Sequence, residues 1–333
     1  MSAPPTADIE HERSAAIDVL PRRVLVLVFV LVQIVAFTAT YLASIPTAYA
    51  GFVVVSVAAT AYAANEGVFG MLTAIFGSVL LIAIGLPLAL FVARQNPSLI
   101  MEQAVDPDVH KMLYFSVYGP LLAAIGSLVF GVPLALMLAR GFPGQSVVSS
   151  LVDLPLVVPH SAAGILILFG FGEGGAFPQL SILGTVVGAV LAMIFVSAPY
   201  AVNSAREAFE SIDDRTEYAS RIHGASRAET FRRITGPLAL RGILTGGVLA
   251  WARSVSEFGA VAIVAYSVRF FYPPEGSVVI AKHAPIAIRS AYLTGGLEES
   301  GAVTFLLLLL STAVFLLIRW LAYDSSGPSG GLP

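Results

Sequence analysis

The chain has 333 residues, 57% of them apolar and only 12% charged, with a net charge of −3 and a mean hydropathy of +0.85. Soluble domains carry roughly a quarter charged residues, so this chain cannot cover a water-facing surface and its main solvent is lipid. The small net charge gives no argument for a polyanionic or polycationic partner, and the lack of cysteine removes disulfides, thiolate metal sites and a cysteine nucleophile.

The N-terminus is polar through Arg23, with Asp8, Glu10, His11, Glu12 and Arg13, which is unlike the short basic start of a cleaved leader. The first apolar segment is therefore expected to stay as an anchor. Eight apolar segments follow, at Val24–Ala43, Thr47–Ala64, Phe69–Ala93, Leu113–Ala139, Leu151–Phe171, Leu183–Val202, Gly242–Tyr266 and Ala302–Leu321. Each approaches the length of about 20 residues that crosses the hydrocarbon as a helix, a structure that satisfies its own backbone. The second is short and rich in alanine. The expected fold is an all-α integral membrane protein of about eight transmembrane helices.

Arginine and lysine set the orientation. With the N-terminus in the cytoplasm, twelve of them fall in inside loops and five (Arg94, Lys111, Arg269, Lys282 and Arg289) outside, with Arg253 left within a span. This bias places both termini of a multi-pass plasma-membrane protein in the cytoplasm. Outer connections are expected at Gln95–Met112 and Ser267–Gly301. The second holds Tyr272-Pro273-Pro274-Glu275-Gly276 and a half-apolar piece, Val278–Tyr292, too short and charged to span. Ser325–Pro333 is rich in Gly, Ser and Pro and is expected to be disordered.

The loop Ser204–Arg241 carries 13 charged residues in 38 positions, a third of the chain's total. It nevertheless reads as folded. Asp214–Glu217 and Ser226–Glu229 each fit a capping box, in which the first side chain accepts an amide and the glutamate reaches back. Gly224 between them suits a turn with positive φ. Pro237, lacking an amide, is expected to end the second helix. Phe231, Ile234 and Leu238 share one face. Such a hinged helix pair suits either docking into a cytoplasmic partner or resting on anionic lipid.

This loop resembles the EAA motif of ABC importer permeases, EAA-x3-G-x9-I-x-LP. Tyr218-Ala219-Ser220 stands in the EAA place with Glu217 just before it, and Gly224-Ala225-Ser226 is the usual turn. Nine residues separate Gly224 from Ile234, and Pro237 falls where the motif wants it. Gly236 replaces the motif's leucine. Pro133–Arg140 followed by Phe142-Pro143-Gly144 resembles the end of an early core helix in these permeases, and Asp153–Pro159 the start of the next. The resemblance begins near Phe69 and leaves the first two spans unmatched. It implies a type I importer permease-like bundle: a tail and two extra helices in 1–66, a permease core in 67–324 with coupling loop 204–241, and the tail 325–333. The segment Glu217, Tyr218, Ala219, Gly224, Ala225, Ser226, Ile234 and Pro237 would then seat on a separate ATP-binding cassette subunit, with Gly224 and Ala225 at the tip.

Arg253 and Glu257 lie within the seventh span, where a lone ionised side chain costs about 2.5–3.5 kcal/mol. At i and i+4 they can neutralise one another. The pair either holds the bundle in register or lines the pathway. Ser256-Glu257-Phe258-Gly259-Ala260 resembles the Gly-Glu-Phe-Gly-Ala signature of molybdate, tungstate and sulfate permeases. That implies a tetrahedral oxyanion, molybdate or tungstate before sulfate. Glu257 would repel a dianion, so Arg253, Glu257, Phe258 and Gly259 are expected to form a gate rather than a tight binding site.

The remaining residues carry less. His160 is expected to be a helix-terminal histidine bonded to backbone, with a pathway role as the lesser reading; His223 and His283 lack metal-ligand spacing. Gly170–Gly175 has no Gly-Lys-Ser/Thr after it and is not a phosphate loop. Gly246-Gly247 suits close helix packing. With no catalytic set visible, ATP and Mg are expected on a partner ATPase. The resemblance further implies a homodimer fed by an extracytoplasmic oxyanion-binding protein. Rivals are an ion-driven secondary transporter, which would show inverted repeats, and a membrane-embedded enzyme.

Overall fold

A computed structural model describes residues 22–63 and 67–324. The polar N-terminal tail before Arg22, the expected end of the second span at Ala64 and the tail Ser325–Pro333 lie outside the described residues. Contacts divide the chain into two compact units, Met1–Arg94 and Gln95–Pro333.

The first unit holds three apolar helices, α1 (Arg22–Leu42), α2 (Pro46–Ala63) and α3 (Gly67–Ala93). Helix α2 packs against both neighbours. That packing places the division after Arg94, whereas the sequence boundary was expected at residue 66. Gln33 Nε2 donates to Ser56 Oγ at 2.9 Å, joining α1 to α2 with one of the few polar pairs these helices own.

The second unit begins with α4 (Pro97–Val105) and α5 (Pro107–Arg140). The expected outer loop Gln95–Met112 is thus mostly helical. Asn96 and Asp106 each accept an amide of the following first turn, and proline opens both helices where no donor is needed. Next come α6 (Gln145–Val157), α7 (His160–Phe171), α8 (Val186–Glu210), α9 (Asp214–Ile222), α10 (Arg227–Val255) and α11 (Gly259–Val264). A hairpin of β1 (Val268–Tyr272) and β2 (Ser277–Ala281) precedes α12 (Ala284–Asp324), which kinks at Gly296 with φ 77°.

Among the described residues, five helices are long and apolar enough to cross a membrane, within α3, α5, α8, α10 and α12. The first two expected spans are the apolar helices α1 and α2, and two other expected spans are broken. The fifth is split at Val158–Pro159 into α6 and α7, of 13 and 12 residues. At 1.5 Å per residue neither half crosses about 30 Å alone. The seventh is broken at Ser256–Phe258, between α10 and α11. The outer connection after it is the antiparallel hairpin, with Val268 opposite Ala281, followed directly by α12. Val278–Tyr292 is therefore not one element but the end of β2 and the first turns of α12.

Helices α5, α8 and α10 form the centre of this unit. In lipid, close van der Waals contact rather than water exclusion holds helices together, which favours small residues at the seams. Gly246 and Gly247 serve two seams at once. A Cβ on Gly246 would lie 3.0 Å from Ala201 O in α8, and one on Gly247 2.7 Å from Leu128 Cδ1 in α5. Phe115, Met193 and Val264 are fully buried in the largest apolar cluster, which joins α5 and α8 to α7, α11 and the hairpin.

Candidate functional sites at the loop tip and the broken helix

Helix α9 starts one residue earlier than the expected capping box. Asp213 caps it, accepting from Arg215 N at 2.9 Å, and no box forms with Glu217. The Glu217 carboxylate turns instead to the helix bundle. Arg140 Nη2, on the last turn of α5, lies 3.0 Å from both of its oxygens, and Thr235 Oγ1 donates to it at 2.8 Å. Burial alone would push this carboxyl up, but the bonds from Thr235 and Arg140 and the charges of Arg140 and Arg221 hold it below its ordinary value.

The turn after α9 is the expected one. Gly224 has φ +87°, and Ala225 N donates back to Ser220 O at 3.2 Å. The second capping box is complete: Ser226 Oγ accepts from Glu229 N at 3.3 Å, and Glu229 Oε2 accepts from Ser226 N at 2.9 Å. Ser220 and Thr230 hydroxyls meet at 3.1 Å and tie the two arms together.

Pro237 does not end the second helix. The chain runs from Arg227 through a π turn, Phe231–Thr235, into the rest of α10, with Gly236 N donating to Phe231 O. The widened turn carries the ladder past the amide that Pro237 lacks. Of the expected apolar face, Phe231 packs on Phe209 with ring centroids 6.3 Å apart and Ile234 is half-buried, but Leu238 is exposed. Tyr218, Ala219, Ile222 and Gly224 are also exposed, an apolar tip with no partner among the described residues. Beside it a cleft of about 920 Å³ runs along Arg140, Glu217, Tyr218, Arg221 and Arg227.

The second site is the break in the expected seventh span. Arg253 and Glu257 do pair, Nη2 to Oε2 at 2.7 Å, but the helix ends at Val255, between them. Glu257 is 1% exposed and both of its oxygens are used, since Oε1 accepts the Ala260 amide at 2.8 Å. The carboxylate thus satisfies a donor that the break exposes, a need that cannot be met by water in a buried place. Gly259 permits the approach of α7: a Cβ there would sit 2.7 Å from His160 Cβ and 2.9 Å from Ser161 N.

His160 was expected to bond to backbone, and it does not. Arg253 Nη2 lies 3.1 and 3.0 Å from its two ring nitrogens, and Glu257 Oε2 is 3.8 Å from Nδ1. Arg253 Nη1 also reaches Ser256 Oγ at 3.4 Å. Phe258 is half-buried, and the Arg289 guanidinium stands 5.7 Å from its ring centroid. Fully buried His283 lies beside Ser254 and Val255 at the end of α10 and against Ser116 of α5. Ser116 Oγ accepts the Ala284 amide at 2.8 Å and lies 3.3 Å from His283 Nδ1. Burial lowers the His283 pKa to about 4, keeping the ring uncharged.

Of the expected site residues, the structure gathers Glu217–Ser226 with Ile234 and Pro237 at one end of α9 and α10, and Arg253–Gly259 at the break. Arg140, Thr235, His160 and Arg289 are added by the fold. Their partners lie 77, 18, 93 and 31 positions away in the chain, beyond any local pattern.

Residues 129–324 match the family described as binding-protein-dependent transport system inner membrane component. The chain is 38% identical over 248 residues to the molybdate/tungstate transport system permease protein WtpB of Pyrococcus furiosus, covering 74% of this chain and 92% of that one. It is 37% identical over 190 residues to the probable sulfate transport system permease protein cysT of Helicosporidium, covering 54% and 70%. Among solved structures, a bacterial ABC transporter involved in import of the acidic polysaccharide alginate aligns with a TM-score of 0.57 at 15% identity, over 76% of this chain and 95% of that one. This chain belongs to the family of inner-membrane components of binding-protein-dependent transport systems.

Proposed function

We propose that this chain is the permease of an ATP-driven importer for a tetrahedral oxyanion, molybdate or tungstate. The relative carrying that substrate in its name matches over nearly its whole length, while the sulfate relative matches over a shorter part of its own. Family membership removes the ion-driven secondary transporter.

The observation that carries the coupling reading is the exposed Gly224 turn, fixed to the bundle at Glu217. ATP and Mg bind a separate cassette subunit, on which Tyr218, Ala219, Gly224, Ala225 and Ser226 seat. Closure of two such subunits draws together the α9–α10 elbows of a permease homodimer. Each elbow moves as one piece with α5 through Arg140 and with α10 through Ile234 and Pro237. Both termini are cytoplasmic, and an extracytoplasmic binding protein delivers the anion on the other side. Arg253, Glu257, Phe258 and Gly259 form the gate.

The test is reconstitution of the permease with its ATPase and binding protein in vesicles. ATP-dependent uptake of molybdate or tungstate, with sulfate a poorer substrate, is expected, together with a crosslink from Ala225→Cys to the ATPase. Uptake without ATP, or crosslinks that never include the ATPase, would overturn the reading.

A further inference from the structure

The charges at the break point to more than a gate. Glu257 is turned inward, 1% exposed, with one oxygen on Arg253 and the other on the Ala260 amide. Its negative charge is thereby spent on partners and hidden from anything approaching the break. The groups that remain accessible are donors and a cation. Arg253 keeps Nη1, bonded to the exposed Ser256 hydroxyl at 3.4 Å. His160 is 51% exposed against the same guanidinium.

Arg289 completes the set. It comes from the first turns of α12, is exposed, and stands on the ring of Phe258, the residue next to Glu257. Among the described residues no carboxylate lies within salt-bridge reach of it. Since Arg253 and Glu257 cancel, Arg289 leaves the break with an excess positive charge. A ring face holds a cation without neutralising it, so the guanidinium keeps its donors for another ligand.

We infer that Ser256, Arg253 Nη1, His160 and Arg289 form an oxyanion transit site at the break, with Arg289 supplying the charge that attracts the anion. The site rests on the pathway reading above, and it deepens that reading by reversing the expected repulsion: Glu257 is the buried counter-charge that orients Arg253, not a barrier. A tetrahedral dianion would meet guanidinium donors and, among the described residues at the break, no exposed carboxylate, while the Ser256 hydroxyl, which donates to Arg253 O at 2.9 Å, helps hold the guanidinium in place. A site with a single excess charge suits brief binding, as transit needs release as well as entry.

The chain has no cysteine, so one can be introduced without background. In the full-length permease, Ser256→Cys is labelled with an anionic sulfonatoethyl and with a cationic trimethylammonioethyl thiosulfonate. The anionic reagent is expected to react about tenfold faster, relative to each reagent's rate with free thiol, a difference within the range of electrostatic attraction in a cleft. Molybdate should slow it. Adding Arg289→Gln should abolish the preference, and Arg289→Lys should retain it. Equal rates with both reagents, no effect of Arg289→Gln, or loss of preference in Arg289→Lys as well as Gln would overturn the site. Labelling needs neither ATP nor partner proteins, so its failure is separate from a failure of ATP-dependent uptake.

Discussion

Arg140 Nη2 lies 3.0 Å from both carboxylate oxygens of Glu217, bridging the last turn of α5 and the first turn of α9. Thr235 bonds the same carboxylate from α10. One acidic side chain therefore fixes the elbow to the helix before it and the helix after it. Glu217 occupies the place just before the motif's glutamate position.

If this contact transmits force, Glu217→Gln should lower uptake per ATP hydrolysed by about tenfold, the equivalent of 1.4 kcal/mol, while ATPase binding persists. The check is the ratio of molybdate uptake to phosphate release in vesicles. The contact also has a pH signature. A carboxyl whose pKa is lowered on folding adds stability that is complete above its unfolded value, 4.5, and lost as pH falls through the lower folded value. Protease sensitivity of the loop should rise below that value in the native chain, and Glu217→Gln should remove the step.

Gly224 is required by its backbone and not by its surroundings. Its φ is +87°, yet a Cβ there would meet nothing within 4 Å. Gly224→Ala should strain the elbow by roughly 1–2 kcal/mol. Gly224→Asn should strain it less, since asparagine enters the left-handed region more readily. Uptake by these two variants should fall in that order of strain, whatever the side-chain size.

Gly259 has the opposite reason. Its hydrogen faces His160 Cβ and Ser161 N, which a Cβ would meet at 2.7 and 2.9 Å. Gly259→Ala should destabilise the unit by about 1–3 kcal/mol through overpacking. Gly170→Ala, where a Cβ meets nothing within 4 Å, should not. Thermal unfolding of the purified permease distinguishes the two.

Arg253 and Glu257 should fail a simple additivity test. Arg253→Met leaves a 1% exposed carboxylate without its cation, a loss of about 3–5 kcal/mol for a buried pair. Arg253→Met with Glu257→Gln should recover part of that loss. A double-mutant cycle on thermal stability measures the coupling, and additive effects would show that the two groups do not share their charge.

Much of the first-order description was legible along the chain. Membrane residence follows from hydropathy, and the turn at Gly224 and the cap at Ser226 are set by three or four neighbouring residues. Local chemistry of this kind survives whatever surrounds it. The capping box at Asp214 was misread because Glu217 had a stronger partner from outside the loop, and Pro237 because a π turn can absorb a missing amide. His160 was misread because its partner belongs to α10.

The sequence by itself determined the lipid solvent, the charged elbow and the residue types at the break, since each depends on composition or on a few adjacent side chains. Only the tertiary structure decided where the expected fifth and seventh spans stop. A helix in lipid can break only where another element satisfies or covers the freed groups, and those elements are brought together by folding. The same holds for charge: in sequence Glu257 reads either as a register-holding partner of Arg253 or as a pathway residue, and only the fold makes it a buried counter-ion, with Arg253 and the Ala260 amide closed around it.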